Sequence, residues 1–320
     1  MTAALIGVDL GGTSIRAAVA TGEVTHGEPV HRDTPSRDGP AAVLDAVADC
    51  ARQAAAGAPI RGLAIGIPGP IDPRAGVVHD APNMSGWNEV PAAAMLTERL
   101  GCPVVLSHDA AAAGYAELKA GAGRGARHLL FITVSTGIGG ALFIDGDLYD
   151  GATGSAGEVG HTPISDDGPP CGQGHPGCLE GTSSGTAIAS RARAELAAGT
   201  VSSLSSLDGA SIDARAIVIA ANAGDELSLR VFHDAGHALG RALGGFINVL
   251  SPDAIVIGGG LIHAGDLLLE PARHAVTQIA FEIPARRCKI VTAALGTDAG
   301  LIGAVAWAVR SFSGHPVAVR

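Results

Sequence analysis

Apolar residues along this chain fall into two kinds of stretch: short unbroken runs, several of them ending in glycine, and longer stretches with apolar residues spaced three or four apart. The first kind reads as buried strand and the second as amphipathic helix. Residues 5–10 and 14–20 flank Gly11-Gly12, which predicts strand, glycine turn, strand. Residues 129–134 and 141–144 repeat the arrangement around 135–140, with a third strand expected after Asp145-Gly146. Between the two copies the pattern predicts a helix over 41–56, with Val43, Leu44 and Val47 on its apolar face and Gly57 as its stop. A strand over 62–67 ends in a Gly-Pro turn, followed by a helix over 92–100, a strand over 103–107 and a helix over 110–120. The second half predicts helices over 186–197, 214–223 and 225–249, then a strand over 254–257 that runs into Gly258, Gly259 and Gly260. A helix over 267–279, a strand over 289–293 and a last helix over 299–309 complete the pattern. Strands alternating with helices indicate α/β layers with mixed sheets. The two glycine hairpins suggest two halves of related architecture.

Residues 157–180, GEVGHTPISDDGPPCGQGHPGCLE, break this rhythm. Glycine and proline set turns, so the segment is expected to be a shaped loop and neither helix nor strand. It concentrates Glu158, Glu180, His161, His175, Cys171 and Cys178. Cysteine and histidine converging on one loop are the makings of a structural zinc site. The carboxylates are not needed for such a site, and a polyhydroxylated substrate suits them, because carboxylates accept hydrogen bonds from hydroxyls directionally.

Composition narrows the class. The 320 residues suggest two domains, and with 47% hydrophobic but only 3% aromatic residues the core must be built from Ala, Val, Leu and Ile. The net charge of -10, without a cluster of Lys and Arg, argues against nucleic acid and anionic membranes as partners. No apolar run reaches the roughly 18 residues that a membrane helix needs, and the N-terminal residues run straight into a strand pattern, unlike a signal peptide. Five scattered cysteines fit a reducing compartment, so a cytoplasmic protein is expected.

Three further stretches carry chemistry. At Asp9-Leu10-Gly11-Gly12-Thr13, the missing glycine side chains let backbone N–H groups approach phosphate oxygens, Thr13 adds a donor, and Asp9 is placed to hold a hydrated Mg²⁺. The stretch Ser135-Thr136-Gly137-Ile138-Gly139-Gly140 repeats that chemistry; the plainer reading of each is an ordinary glycine hairpin. His108-Asp109 closes a strand and precedes a helix, so Asp109 is either a helix N-cap or a general base at a strand's C-terminal edge. His233 and His237, four apart beside Asp234, have metal-like spacing but read as a surface or interface feature, and Asp72 reads as a turn residue.

As an ordered set, the stretches DLGGTSIR, GIPGPID, APNMSGW, STGIGG, GEVGH, CGQGHPGCLE, INVLSPDAIVIGGG and LGTDAGLIGA resemble the ROK family of repressors, open reading frames and kinases, over nearly the whole chain. The resemblance implies an actin-like ATPase (RNase H-like) α/β fold, with two domains around a nucleotide and sugar cleft. The expected domains are a smaller one over residues 1–117 plus 298–320, which includes the returning last helix, and a larger one over 118–297 with the zinc-type loop 157–180. It further implies an ATP- and Mg²⁺-dependent kinase acting on the 6-hydroxyl of a hexose, and a homodimer or homotetramer. By resemblance Asp109 matches the catalytic base. Asn83, Glu158, His161 and Glu180 match sugar ligands, Gly11, Gly12, Thr13, Thr136 and Gly137 match phosphate positions, and Gly259 and Gly260 match the nucleoside region.

Two departures from the family pattern stand out. Gln173 replaces the usual middle cysteine of the zinc loop, leaving His161, Cys171 and Cys178 in need of a fourth ligand. His175 could supply it, zinc could bind weakly with water, or the loop could keep its shape with little metal. His108 replaces the Asn that glucokinase-like members place before the catalytic Asp to contact the hexose, and that leaves the acceptor open. Glucose is the first expectation, with N-acetylglucosamine, N-acetylmannosamine or an amino sugar as alternatives. A sugar-sensing transcriptional regulator of the same family is disfavoured, because the first strand pattern begins near Leu5 and leaves no room for a helix-turn-helix before it.

Overall fold

The first strand, β1 (Ala4–Leu10), sends Ile6, Val8 and Leu10 to one face and Leu5, Gly7 and Asp9 to the other, as the two-residue period of a strand dictates. The computed structural model describes residues 3–81 and 83–313. β1 pairs antiparallel with β2 (Ser14–Val19), which pairs antiparallel with β3 (Val30–Asp33). After helix α1 (Gly39–Ala55), strand β4 (Ile60–Ile67) lies parallel to β1. A small antiparallel sheet follows, made of β5 (Ile71–Asp72), β6 (Val77–Asp80) and β7 (Asn88–Val90). Helix α2 (Ala92–Leu100), strand β8 (Val104–His108), parallel to β4, and helix α3 (Asp109–Ala120) come next.

The two faces of this sheet are built differently. Branched residues on one face (Ile6, Val8, Leu63, Ile65) pack with Val43, Leu44 and Val47 of α1. The other face is lined by Gly7, Gly62 and Ala64, and the C-terminal helix Ala299–Phe312 lies on it. A Cβ on Gly7 would overlap the Val305 backbone, and one on Gly303 would overlap the Ala112 carbonyl, so these two glycines admit the helix between β1 and α3. α1 stops at Ala56, in the left-handed conformation, and Gly57 (φ +85°), where the glycine signal placed the end.

The second sheet contains β9 (Leu129–Val134), β10 (Ile138–Ile144), β11 (Asp147–Tyr149), β12 (Ala254–Gly258) and β13 (Lys289–Thr292). β10 and β11 form a hairpin over Asp145 and Gly146, both at positive φ, and β12 runs parallel to β9 and β13. The strand orders β3-β2-β1-β4-β8 and β11-β10-β9-β12-β13 are the same once strands are counted within each sheet. The repeat expected from the two glycine hairpins is therefore present at the level of topology. The helices of this half are α4 (Leu179–Ser183), α5 (Gly185–Ala197), α6 (Ala214–Asn222), α7 (Glu226–Leu250), α8 (Asp266–Ile279) and α9 (Glu282–Arg287). Gly236, Gly240 and Gly244 form a stripe on α7 that brings its backbone against α8 at Leu268, Ala272 and Ile279.

The segment 157–180 is not wholly irregular. Val159–His161 is a turn of 3₁₀ helix, and Leu179 and Glu180 open α4. Helical pieces of three and five residues are too short to impose an apolar period, and so the sequence hid them. By spatial contact the chain divides into two compact units, Met1–Gly125 with Ala141–Ala156 and Ala293–Arg320, and Ala126–Gly140 with Gly157–Thr292. Among the described residues no helix is long and apolar enough to cross a membrane.

Candidate functional site

In the first unit, the β1–β4–β8 register aligns Asp9 with Gly66 and Gly66 with Ser107, next to His108 and Asp109. Gly66 has no side chain to fill the space; a Cβ there would lie 3.8 Å from the Asp109 α-carbon. Asp9 and Asp109 thus occupy the C-terminal edge of one parallel set of strands, where open α/β sheets present ligand sites. Burial pushes the Asp9 carboxyl above the usual aspartate range, Arg16 pulls it back, and the nearby Asp109 pushes it up again.

Arg16 is the residue that sequence reasoning passed over. It faces Asp9 in the β1–β2 register, and both its Nε (3.2 Å) and its Nη2 donate to Asp9 Oδ2. The same guanidinium donates to the Thr297 carbonyl (2.6 Å) and to Asp298 Oδ1 (3.4 Å), just ahead of the C-terminal helix. Gly300 completes the fit, since a Cβ there would lie 2.8 Å from the Asp9 carboxylate. Asp9 is therefore held rigidly against the first turn of that helix, with one oxygen occupied. Strand alternation around the hairpin, applied to DLGGTSIR, would have put Arg16 on the Asp9 face.

Of the two readings of Asp109, the cap role belongs to its neighbour. His108 is the N-cap of α3, its Nδ1 accepting from Ala110 N at 3.3 Å, while Asp109 is the first helical residue. Asp109 Oδ1 accepts from Ala110 N at 2.6 Å and lies 3.2 Å from His108 Nδ1. The Asp109 side chain is 45% exposed, and among the described residues no hydrogen bond uses its Oδ2. The glycine turn sits in the same unit: Gly11 N donates to the Ser14 carbonyl, and the Thr34 hydroxyl donates to the Gly11 carbonyl. Thr13 is exposed beside it, and Asn83 lies over Gly12, where a Cβ would come within 3.1 Å of the Asn83 Cβ. Asp72 is a turn residue as expected, its Oδ1 accepting from the Arg74 and Ala75 amides.

The second unit collects the rest. The ligand atoms of His161, Cys171, His175 and Cys178 lie within 4.8 Å of one another, so His175 joins the three residues that needed a fourth partner. An ion with four tetrahedral ligands at about 2.0–2.3 Å separates them by about 3.3–3.8 Å, a small contraction from that arrangement. His161 Nδ1 is buried and, among the described residues, has no hydrogen-bond partner, which a bound cation would relieve. The two cysteines are buried, and burial, with Cys171 and Glu180 nearby, pushes the Cys178 thiol up. Gln173 sits exposed in the Cys171–His175 turn, which the Gly174 N to Cys171 carbonyl bond closes. Gly177 (φ +67°) has no room for a Cβ against the Ser165 carbonyl, so glycine is required where the loop folds back to Cys178.

Glu180 lies beside this group, and Glu158 is exposed just before the 3₁₀ turn that holds His161. The 135–140 hairpin closes with Ser135 N donating to the Gly137 carbonyl. Thr136 of this hairpin and Gly260 line a cavity of about 680 Å³, whereas Gly259 (φ +88°) packs against the Val134 backbone. The cavity also brings in Arg193, Asp213, Arg215 and His263, which the sequence reading missed because they are spread over more than seventy residues without a motif. His233 and His237 stack at 6.5 Å on α7 and, among the described residues, join no third ligand.

Two sheets of one topology, each with a glycine hairpin at its first turn, together with solved neighbours of that kind, define a protein of the actin-like ATPase fold. The ROK family model matches residues 5–311, and the chain belongs to the ROK family. It is 36% identical over 317 residues to a glucokinase from Halalkalibacterium halodurans, covering 95% of this chain and 94% of the relative. An N-acetylmannosamine kinase from Escherichia coli O157:H7 is 31% identical over 301 residues, covering 93% and 96%. Among solved structures, the ROK family glucokinase from Streptomyces griseus in complex with glucose and AMPPNP matches with a TM-score of 0.79 and 32% identity, covering 96% of this chain and 99% of that one.

Proposed function

We propose that this chain is an ATP-dependent sugar kinase that transfers the γ-phosphoryl group to the 6-hydroxyl of a hexose, with glucose as acceptor. The observation that carries the reading is Asp109, a carboxylate at a strand's C-terminal edge with one oxygen fixed by Ala110 N and the other left for a substrate proton. The glucokinase relatives and the glucose-bound neighbour support glucose as acceptor.

Asp109 accepts the proton of the 6-hydroxyl as that oxygen bonds to the γ-phosphorus; the bond to the β-γ bridging oxygen breaks, and ADP leaves with the electron pair. The backbone at Gly12, Thr13, Thr136 and Gly137 supplies N–H donors to phosphate oxygens, Gly11, whose own N–H closes the turn on Ser14, leaves room for the phosphates, and the cavity beside Thr136 and Gly260 takes the nucleoside. Mg²⁺ bound with ATP balances phosphate charge, and Asp9 would hold it through water, using the oxygen that Arg16 leaves free. Glu158, Glu180, His161, His108 and Asn83 receive the sugar hydroxyls. Zn²⁺ suits the two thiols and two imidazoles of residues 161, 171, 175 and 178, and it would act as a cross-link. The buried His161 Nδ1 would face the metal, and Nε2 would then be left for a hydroxyl. All five cysteines are free and buried, which supports a cytoplasmic setting, and the family supports a homodimer or homotetramer.

A second acceptor reading, an N-acetylated hexosamine, is favoured by the likeness to the N-acetylmannosamine kinase and by His108. ADP release measured across glucose, mannose, fructose, N-acetylglucosamine, N-acetylmannosamine and aminoglucoses tests the choice. Glucose is expected to give a kcat/KM at least about tenfold above every other sugar, the scale of one well-placed polar contact. A higher value for an N-acetylated sugar moves the assignment to that class.

A further inference from the structure

Glu180 is more constrained than a sugar ligand needs to be. It stands in the first turn of α4, two residues after Cys178, and its two carboxylate oxygens serve two different segments. Oε1 accepts from Gly172 N at 3.1 Å, inside the metal loop and one residue after Cys171. Oε2 accepts from Ile138 N at 3.0 Å, in the glycine hairpin. Gly137 is fitted to the same oxygen, since a Cβ there would lie 2.7 Å from Oε2. The start of α5 grips the other side of the hairpin, with Gly185 N donating to the Ser135 carbonyl (2.7 Å) and Thr186 N to the Thr136 carbonyl (3.3 Å). α4 and α5 are themselves joined through Ser184 N and the Glu180 carbonyl (3.2 Å).

We propose that Glu180 is a positioning residue that couples the Cys-His loop to the 135–140 hairpin, so that metal bound in the loop tightens the nucleotide side of the site. The inference rests on the proposed metal and nucleotide roles of these two segments. The physical link is short. A bound ion fixes Cys171 and Cys178, these fix Gly172 N and the start of α4, and the Glu180 carboxylate passes that order to Ile138 N and the turn beside Thr136. Without the ion, four side chains that share no other centre release the Gly172 amide, and Glu180 loses one of its two anchors. A sugar-ligand role alone has no such consequence for nucleotide.

Titration calorimetry with a non-hydrolysable ATP analogue, in the absence of sugar, tests the coupling on full-length protein before and after chelation, with metal content measured each time. Amide hydrogen exchange at Ile138 is followed in parallel. Removing the metal is expected to weaken analogue binding about fivefold to tenfold, in the range of ordinary site-to-site coupling, and to speed exchange at Ile138. Glu180→Gln puts an amide NH₂ against one of the two N–H donors. It is expected to bind the analogue as weakly as chelated wild type and to lose little more on chelation, while its circular dichroism spectrum shows that the fold is retained. Wild-type affinity and exchange that ignore metal removal overturn the proposal. So does a Glu180→Gln variant that loses sugar affinity but keeps wild-type nucleotide affinity and Ile138 protection. Metal content far below one equivalent in fresh protein removes the zinc reading instead. Failure of wild type to bind the analogue removes the nucleotide reading. In either case Ile138 exchange in Glu180→Gln still decides whether the carboxylate holds the hairpin.

Discussion

Asp109→Asn is expected to lower kcat by about 10²-fold or more, the usual contribution of a general base, while affinity for an ATP analogue stays within about twofold. The isosteric amide keeps the local structure, because its oxygen can still accept from Ala110 N as Asp109 Oδ1 does. It also leaves the His108 cap of α3 in place. What it removes is the ability to take a proton at the second oxygen. KM for the sugar should move little, since the lost interaction belongs to the transition state. Steady-state kinetics with the variant check this, and turnover within a few fold of wild type would take Asp109 out of the mechanism.

The second large effect is structural and reaches the same site from behind. Glu117 on α3 is fully buried, and its carboxylate accepts three backbone N–H groups: Ala122 at 2.7 Å, Ala294 at 2.9 Å and Leu295 at 2.8 Å. Gly121 leaves it room, since a Cβ there would overlap the carboxylate. Glu117→Ala strands three donors and opens a void, at about 1–3 kcal/mol for each stranded group. A loss of about 3–6 kcal/mol lowers the melting temperature by about 6–24 °C in a domain of this size. Thr297 and Asp298, which hold Arg16, follow Leu295 by two and three residues, so the Arg16–Asp9 clamp should loosen as well. Thermal unfolding by circular dichroism reads the first effect. A melting temperature within about 2 °C of wild type would show that water or rearrangement replaces the carboxylate.

How much of this was legible in the sequence depended on whether a signal was local. Unbroken apolar runs marked β1, β4, β9 and β12, and the glycines between runs marked the hairpins, because buried strands and turns announce themselves within a few residues. The Cys-His loop was legible for the same reason, and His175 lies with the other three residues, as one of the three alternatives for the loop had it. What escaped depends on distance or register. Arg16 reaches Asp9 only through strand pairing, and Glu117 looks like an ordinary charged residue in an alanine-rich helix until the 294–295 backbone meets it. β3 and β5–β7 are two to four residues long and mostly polar or mixed, below what periodicity resolves. The double duty of Glu180 could not be read from its motif, since its partners Gly172 and Ile138 lie 8 and 42 residues away.

Product analysis with ATP and glucose tests the central claim most directly. Phosphoryl transfer by this site predicts ADP formed in step with glucose 6-phosphate, one for one, and lost together in Asp109→Asn. Absence of sugar-dependent ADP formation, or phosphate appearing on a hydroxyl other than the sixth, would contradict it.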